Sequence, residues 1–410
     1  MRLLYDIGIR IYWFGIFIAS AFNTKARLWI RGRRSWRREI QNQFRDDEEV
    51  IWFHCASLGE FEQGRPIIEE VRRLENNLKI LLTFSSPSGY EKRKDFAGAD
   101  LVTYLPLDTR RNARLFIDSI PLRAVCFIKY EFWYHYLRTL KKHAIPVYLA
   151  SGIFRSEQIF FKWYGKWYRK FLEGFTHMFV QQEATKTLLA EYELHNVTVA
   201  GDTRFDRVAR IVDTPFKNEA IEKFVDGSTV ILAGSTWEPD DKLLAYAYRE
   251  LPSTFKWIIA PHELSQKHIK QLKSAFRESI LYTEIEGDIP EETKVVIVNT
   301  IGQLSYLYRF GSLAYIGGGF GKGIHNILEA ATYGLPVVFG PKFGKFSEAI
   351  DLVNLKAAFP VHSKEELLST FQQFLLNEQL LKTTSYICQN YVRSKLGATA
   401  LIVEMLLKKT

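Results

Sequence analysis

The sequence predicts an α/β protein made of two doubly wound parallel-sheet domains facing a cleft. Three observations carry the prediction. The chain has 410 residues, more than one ordinary core organises. From residue 50 onward, short apolar runs alternate with helical patterns. The alternation pauses once, at 211–227, "IVDTPFKNEAIEKFVDG", and then resumes.

The first series of strands is expected at Val50–Ser57, Lys79–Ser85, Leu101–Leu105, Ala124–Tyr130, Ile145–Ser151, His177–Gln182 and Val197–Ala200. The second is expected at Thr229–Ala233, Phe255–Ala260, Ser279–Thr283, Lys294–Asn299, Leu313–Ile316 and Pro336–Phe339. β-branched and aromatic runs bounded by Gly, Ser and Pro suit strands buried on both faces. Helices between them make each sheet parallel. The expected division is a basic arm at 1–40, domains at 41–210 and 211–385, and a C-terminal helix at 386–410 that packs back on the first domain.

Composition narrows the class. Hydrophobic residues are 47% and charged residues 25%, which is globular. The three cysteines, Cys55, Cys126 and Cys388, match no zinc spacing and no disulfide framework, so a reducing compartment is expected. The net charge is +9, and residues 1–40, with nine Arg or Lys and two acids, carry +7 of it. A nucleic-acid binder spreads basic surface over its folded domain, so that partner is not expected. A basic segment confined beside an apolar one suits a membrane surface. Residues 11–24, "IYWFGIFIASAFNT", are uncharged and aromatic-rich. As a helix they reach about 21 Å, against about 30 Å of hydrocarbon. The expectation is a helix lying in the membrane interface, with Lys25–Arg38 on anionic headgroups. A core helix with a solvated basic tail is the alternative.

Six stretches can carry chemistry. "YIGGGFGKGIHNILEAATYGLPVVFGP", 315–341, runs a strand into five glycines, with a helix expected near Ile324. Glycines allow close backbone approach, and a helix N-terminus favours phosphate. Its spacing fits neither the dinucleotide fingerprint nor a P-loop. Glu329 lies a turn beyond His325 and Asn326, where its carboxylate could accept from a ribose diol. In "ILAGSTWEPDDKLL", Ser235 and Thr236 either bind phosphate or cap a helix. In "IIAPHELS", His262 falls at the carboxyl edge of a strand, either ligand-facing or structural. In "FIKYEFWYHYL", Lys129 and Glu131 form either an ion pair or a charged mouth. "FFKWYGKWYRKF", 160–171, suits a membrane interface, with a half-buried amphipathic helix as the plainer reading.

The last stretch, "HCASLGEFEQG", leads from a strand into a helix. Read alone, Glu60 is a first-turn acid that steadies a helix by about 0.3–1 kcal/mol. At a strand's carboxyl edge it can also be a base. Glu62, two residues on, points elsewhere and is its natural control.

As an ordered set, these motifs resemble the bacterial Kdo transferases. Those enzymes move 3-deoxy-D-manno-octulosonic acid (Kdo) from CMP-Kdo to lipid A precursors. The resemblance covers nearly the whole chain, through "HCASLGEFEQGRPII", "TFSSPSG", "YLPLD", "YEFW", "VAGDTRFDRV", "AGSTWEPDD", "APHELS" and the glycine-rich stretch. It implies a GT-B fold, no metal, no cofactor and the cytoplasmic face of the inner membrane. It implies CMP-Kdo, a lipid A precursor and an anionic membrane surface as partners. The family's catalytic carboxylate falls on Glu60 and its second carboxylate on Glu131. Its nucleotide-side motifs fall on Ser235, Thr236, His262, Gly318, Gly319, His325, Asn326 and Glu329. Ser57 and Gly59 share the "H-x-x-S-x-G-E" motif with Glu60. Departures fall at Lys129, Tyr134-His135, "SGIFR" and Lys345. They leave Arg155, Arg204 and Lys345 as candidate cations for acceptor or phosphate. Two rivals remain: a GT-B transferase using a UDP-sugar and a lipid acceptor, and a non-catalytic sugar-nucleotide or lipid binder.

Overall fold

The computed structural model of the protein describes residues 1–408. The chain forms two compact units, one of Met1–Asp206 with the segment from Leu396 on, the other of Arg207–Lys395. The sequence reading had drawn the boundaries at 210/211 and 385/386.

The first unit holds a seven-stranded parallel sheet, β1 Val50–Cys55, β2 Lys79–Phe84, β3 Leu101–Tyr104, β4 Leu122–Ile128, β5 Val147–Gly152, β6 His177–Val180 and β7 Val197–Val199, in the order β3-β2-β1-β4-β5-β6-β7. Pairing starts at Val50↔Lys79 on one side and at Val50↔Leu122 on the other, where the register shifts to Ile51↔Ala124. Successive side chains of a strand point to opposite faces. Accordingly Trp52, Val125 and Phe127 join one core cluster, and Ile51, Phe53 and Cys126 the other. The second unit repeats the plan with β8 Val230–Thr236, β9 Lys256–Pro261, β10 Ser279–Leu281, β11 Val295–Ile297, β12 Leu313–Ile316, β13 Val337–Phe339 and β14 Ala358–Pro360, ordered β10-β11-β9-β8-β12-β13-β14. In both sheets the order reverses beside the first strand, the position that opens a ligand crevice at the carboxyl edge. β14 was not expected: three residues ending in Pro show no strand period.

The N-terminal segment differs from the expected arm. Helix α1 runs Arg2–Ala19, so it includes Arg2, Asp6 and Arg10 and stops before residue 20. It has no buried residue. Leu3, Leu4, Ile7, Ile11, Phe14 and Ile18 are all exposed, which does not fit a core helix. Among the described residues no helix is long and apolar enough to cross a membrane. Asn23 caps α2, Thr24–Gly32, through Lys25 and Ala26 N–H. Helix α3, Trp36–Gln43, buries Trp36 and Ile40 in the core. These residues are therefore part of the first unit and not a free arm. Arg33 is the clearest case. It donates to the carbonyls of Trp29 (3.0 Å), Ser85 (2.7 Å) and Leu105 (2.8 Å) and lies 3.7 Å over the Trp29 ring. Burial lowers its pKa to about 10.

The C-terminal helix Ala398–Leu407 packs on α4, Leu58–Leu74, through Ile402, Val403 and Leu406. Asp206 caps its start by accepting from Gly397 and Thr399 N–H, both at 2.7 Å. The preceding helix, Glu378–Arg393, lies in the second unit, so the returning segment is shorter than the 386–410 expected.

Candidate functional site

In the first unit, β1 ends at Cys55 and α4 starts at Leu58, which puts Glu60 in the first turn of α4 at the sheet's carboxyl edge. Ser57 and Glu60 have the S-x-x-E spacing of a capping box, in which each side chain would bond the other's backbone N–H. The box is not closed. Ser57 makes no side-chain cap bond, and its hydroxyl donates to the Glu60 carboxylate instead. Glu60 is therefore held at the edge by a hydroxyl and is only half buried. Glu62 pairs with Arg93 at 3.0 Å. Gly59 is exposed, and a Cβ there would meet nothing closer than Ser57 Oγ at 3.7 Å. The turn does not need a glycine for space.

Glu131 is different. It is buried and accepts three hydrogen bonds, from His54 Nε2 (2.8 Å), Ser85 Oγ (3.2 Å) and Trp133 Nε1 (2.5 Å). Burial pushes its carboxyl up, but the donors, His54 foremost, outweigh this and hold it below the usual range. The chain of contacts continues inward. His54 Nδ1 meets Thr83 Oγ1 at 2.7 Å, and Trp52 Nε1 donates to the same oxygen at 2.7 Å. All three donors meet one oxygen, Oε2, so the carboxylate is fixed in place and positions its neighbours. Lys129 and Glu131 make no ion pair; Lys129 turns away at φ 70° and lies 5.4 Å from the Tyr130 ring. Tyr130 lies within the fields of both Arg155 and Glu60, so these sequence-predicted residues share one neighbourhood. Arg204 pairs with Asp202 at 2.7 Å.

Three non-glycine residues with positive φ sit at strand ends on these edges: Lys129 (70°), Ser151 (56°) and Ser235 (54°). Such backbone costs about 1–3 kcal/mol per residue and gathers at binding sites.

In the second unit the glycine-rich stretch leaves β12 and turns back without forming the helix expected at Ile324. Helix begins only at Leu328 and lasts four residues, so no helix dipole serves phosphate there. Asn326 accounts for the delay: its Oδ1 accepts from Leu328 N–H and its Nδ2 donates to Glu329 at 3.1 Å. The turn is instead pinned by Asp240. This buried carboxylate accepts from Gly318 N–H (2.9 Å), Trp237 N–H (2.9 Å) and Tyr315 Oη (2.8 Å). Gly318 has φ 93°, and a Cβ on Gly319 would lie 2.6 Å from the Gly340 backbone. Both positions exclude a side chain. The backbone of Gly317 closes on Ser235 and Thr236, and the Thr236 carbonyl accepts from His262 N–H at 2.9 Å. The N–H groups of Gly319 and Phe320 have no partner among the described residues.

Beside this turn three rings stack. His262 lies over a pair of near-coplanar rings, 4.5 Å from Trp237 and 4.4 Å from His325, and within that pair Trp237 Nε1 donates to His325 Nε2 at 2.9 Å. Indole is only a donor, so Nε2 is the acceptor and the ring proton is on Nδ1. Burial and then the charge of His262 lower the His325 pKa to about 4. Sequence reasoning found His262 and His325 but missed Trp237, Asp240, Tyr315 and Lys342, whose Nζ donates to Gly321 O at 2.9 Å. Only "EPDD", with Asp240 in a helical first turn, carried a signal. Lys345 is exposed, with no ion pair among the described residues.

Two parallel-sheet α/β units, each with its site at the carboxyl edge, define a GT-B protein. The solved structure of MurG from Acinetobacter baumannii shares the fold, with a TM-score of 0.55 at 13% identity, covering 88% of this chain and 100% of that one. Residues 31–207 match the family model described as 3-Deoxy-D-manno-octulosonic-acid transferase (kdotransferase). The chain is 26% identical to the 3-deoxy-D-manno-octulosonic acid transferase of Aquifex aeolicus, over 81% of this chain and 88% of that one. It is 24% identical to the transferase of the same name from Rickettsia typhi, over 83% of this chain and 74% of that one. The chain is a glycosyltransferase related to the Kdo transferases.

Proposed function

We propose that this chain transfers Kdo from CMP-Kdo to a lipid A precursor, inverting the anomeric centre, with Glu60 as general base. The reading rests chiefly on one observation: the Ser57 hydroxyl holds Glu60 at the carboxyl edge of the first sheet, where the capping box stays open. The acceptor hydroxyl gives its proton to the Glu60 carboxylate as its oxygen bonds to the anomeric carbon of Kdo. The bond from that carbon to the CMP phosphate breaks, and its electron pair leaves with the phosphate oxygen. Attack from the far side inverts the centre. The departing phosphate needs N–H donors. The second unit offers the free N–H groups of Gly319 and Phe320 and the Nδ1–H of His325. Glu131 positions the first-unit edge through His54, Ser85 and Trp133. The exposed apolar face of α1 favours a peripheral place on the cytoplasmic face of the inner membrane, where a lipid acceptor would lie.

Glu60→Gln should lower kcat by at least about a hundredfold, the usual contribution of a positioned base. Glu62→Gln should stay within about threefold of the parent, because Glu62 faces Arg93. Near-parental turnover by folded Glu60→Gln would remove Glu60 from the base role.

A further inference from the structure

The first unit contains an open cavity of about 830 Å³ whose lining includes none of the residues assigned above to the transfer reaction. That volume is within the range of small-molecule sites, roughly 300–1,000 Å³. Six arginines line it: Arg2 and Arg10 from α1, Arg37 from α3, and Arg110, Arg111 and Arg114 from the helix Arg110–Asp118. Three aspartates also line it, and each is already engaged. Asp108 accepts from Tyr5 Oη (2.5 Å) and from His135 and Tyr136 N–H (both 3.1 Å). Asp6 meets His135 Nε2 at 2.6 Å and Arg2 at 3.8 Å. Asp118 pairs with Arg114 at 3.3 Å and His143 at 3.4 Å. The side chains of Arg10, Arg37, Arg110 and Arg111 make no hydrogen bond or ion pair among the described residues. The cavity therefore carries an excess of three positive charges from three separate helices.

Its location selects the ligand. Arg2, Asp6, Ile9 and Arg10 recur at helical spacing and form the stripe of α1 that lines the cavity. The adjoining stripe holds exposed Leu3, Ile7, Phe14 and Ile18. One helix thus joins a basic cavity to a bare apolar face along a single border. An amphiphile fits that border, its acyl chains along the apolar stripe and its anionic head in the cavity. Guanidinium forks bind phosphate oxygens bidentately. A phosphate monoester has three terminal oxygens and approaches a charge of −2 at pH 7, whereas a diester has two and carries −1.

We propose that this cavity binds the phosphate monoester head of a membrane lipid. The site stands apart from the transfer reading: a chain that moved no sugar would bind the lipid all the same.

The test is flotation of the full chain with phosphatidylcholine vesicles containing either phosphatidic acid, a monoester, or phosphatidylglycerol, a diester, at matched total charge. The parent should prefer phosphatidic acid by at least about tenfold, the scale of one or two charge-assisted hydrogen bonds. The combined variant Arg37→Gln, Arg110→Gln, Arg111→Gln should lose that preference. The single variant Arg111→Gln, a milder change, should lose part of it. Arg31→Gln, Arg34→Gln, Arg38→Gln removes the same charge from exposed positions outside the cavity and should weaken both lipids together. Thermal midpoints confirm that each variant folds. Equal binding of the two lipids by the parent, or a preference surviving in the cavity variants, would overturn the proposal. So would glycerol 3-phosphate in solution binding as tightly as the phosphatidic acid vesicles, which would make the ligand a soluble phosphate.

Discussion

Glu60 and His325 show how a side chain's partner decides its chemistry. The S-x-x-E spacing reads as a helix cap, and an unclosed box turns Glu60 outward. No sequence pattern separates those outcomes, because they differ only in a side-chain torsion. The motif pointed to Glu60 while its bonding stayed hidden. His325 is held neutral by burial, by His262 and by the indole of Trp237, which lies 88 positions away in sequence. Its folded pKa, about 4, lies below the unfolded value near 6.5. Between these values the unfolded chain binds more protons, so stability falls as pH drops from about 6.5 to about 4 and is unaffected above that window. His325 is partly open to solvent, so the screened effect is on the order of 1 kcal/mol. Thermal midpoints measured across pH 4–7 should fall less steeply in His325→Gln than in the parent. Parallel curves would show that His325 is not held neutral.

At the scale of elements, β-strands were the most legible feature. Each expected strand overlaps an observed one, because runs such as "VIWFHC" and "VILAG" are apolar on both faces. The glycine-rich turn was read correctly as a place of close backbone approach, but its helix was placed too early. The apolar and small residues after Gly323 suit a helix locally, while Asn326 and the Asp240 clamp hold the chain in a turn. Those contacts are tertiary and leave no periodicity. The start of α1 was misjudged for the opposite reason: the uncharged run was taken to begin at residue 11, after Arg10, yet Arg2, Asp6 and Arg10 occupy one stripe of the same helix. The same helix supports a prediction. Ile7→Asp with Ile11→Asp should lower binding to anionic vesicles by at least about tenfold, since both side chains lie on the exposed apolar face. Retained binding in a folded variant would mean that α1 does not meet the membrane.

For the whole molecule, the division of labour follows from one plan used twice. Each unit has a parallel sheet whose order reverses beside its first strand, and each gathers its polar groups at that sheet's carboxyl edge. The first unit presents the held carboxylate and the second the glycine turn with its ring stack. Alternation along the chain was sufficient to reveal this plan. The finer boundaries were not legible, because the last helix returns to α4 through contacts of Ile402, Val403 and Leu406 that no local pattern records. The most direct test is incubation of the full chain with CMP-Kdo and a tetraacylated lipid A precursor, followed by the mass of the lipid product. The account predicts a lipid heavier by one or more Kdo units, formed from CMP-Kdo and not from UDP-sugars. An unchanged lipid with CMP-Kdo, or a product formed only from a UDP-sugar, would contradict it.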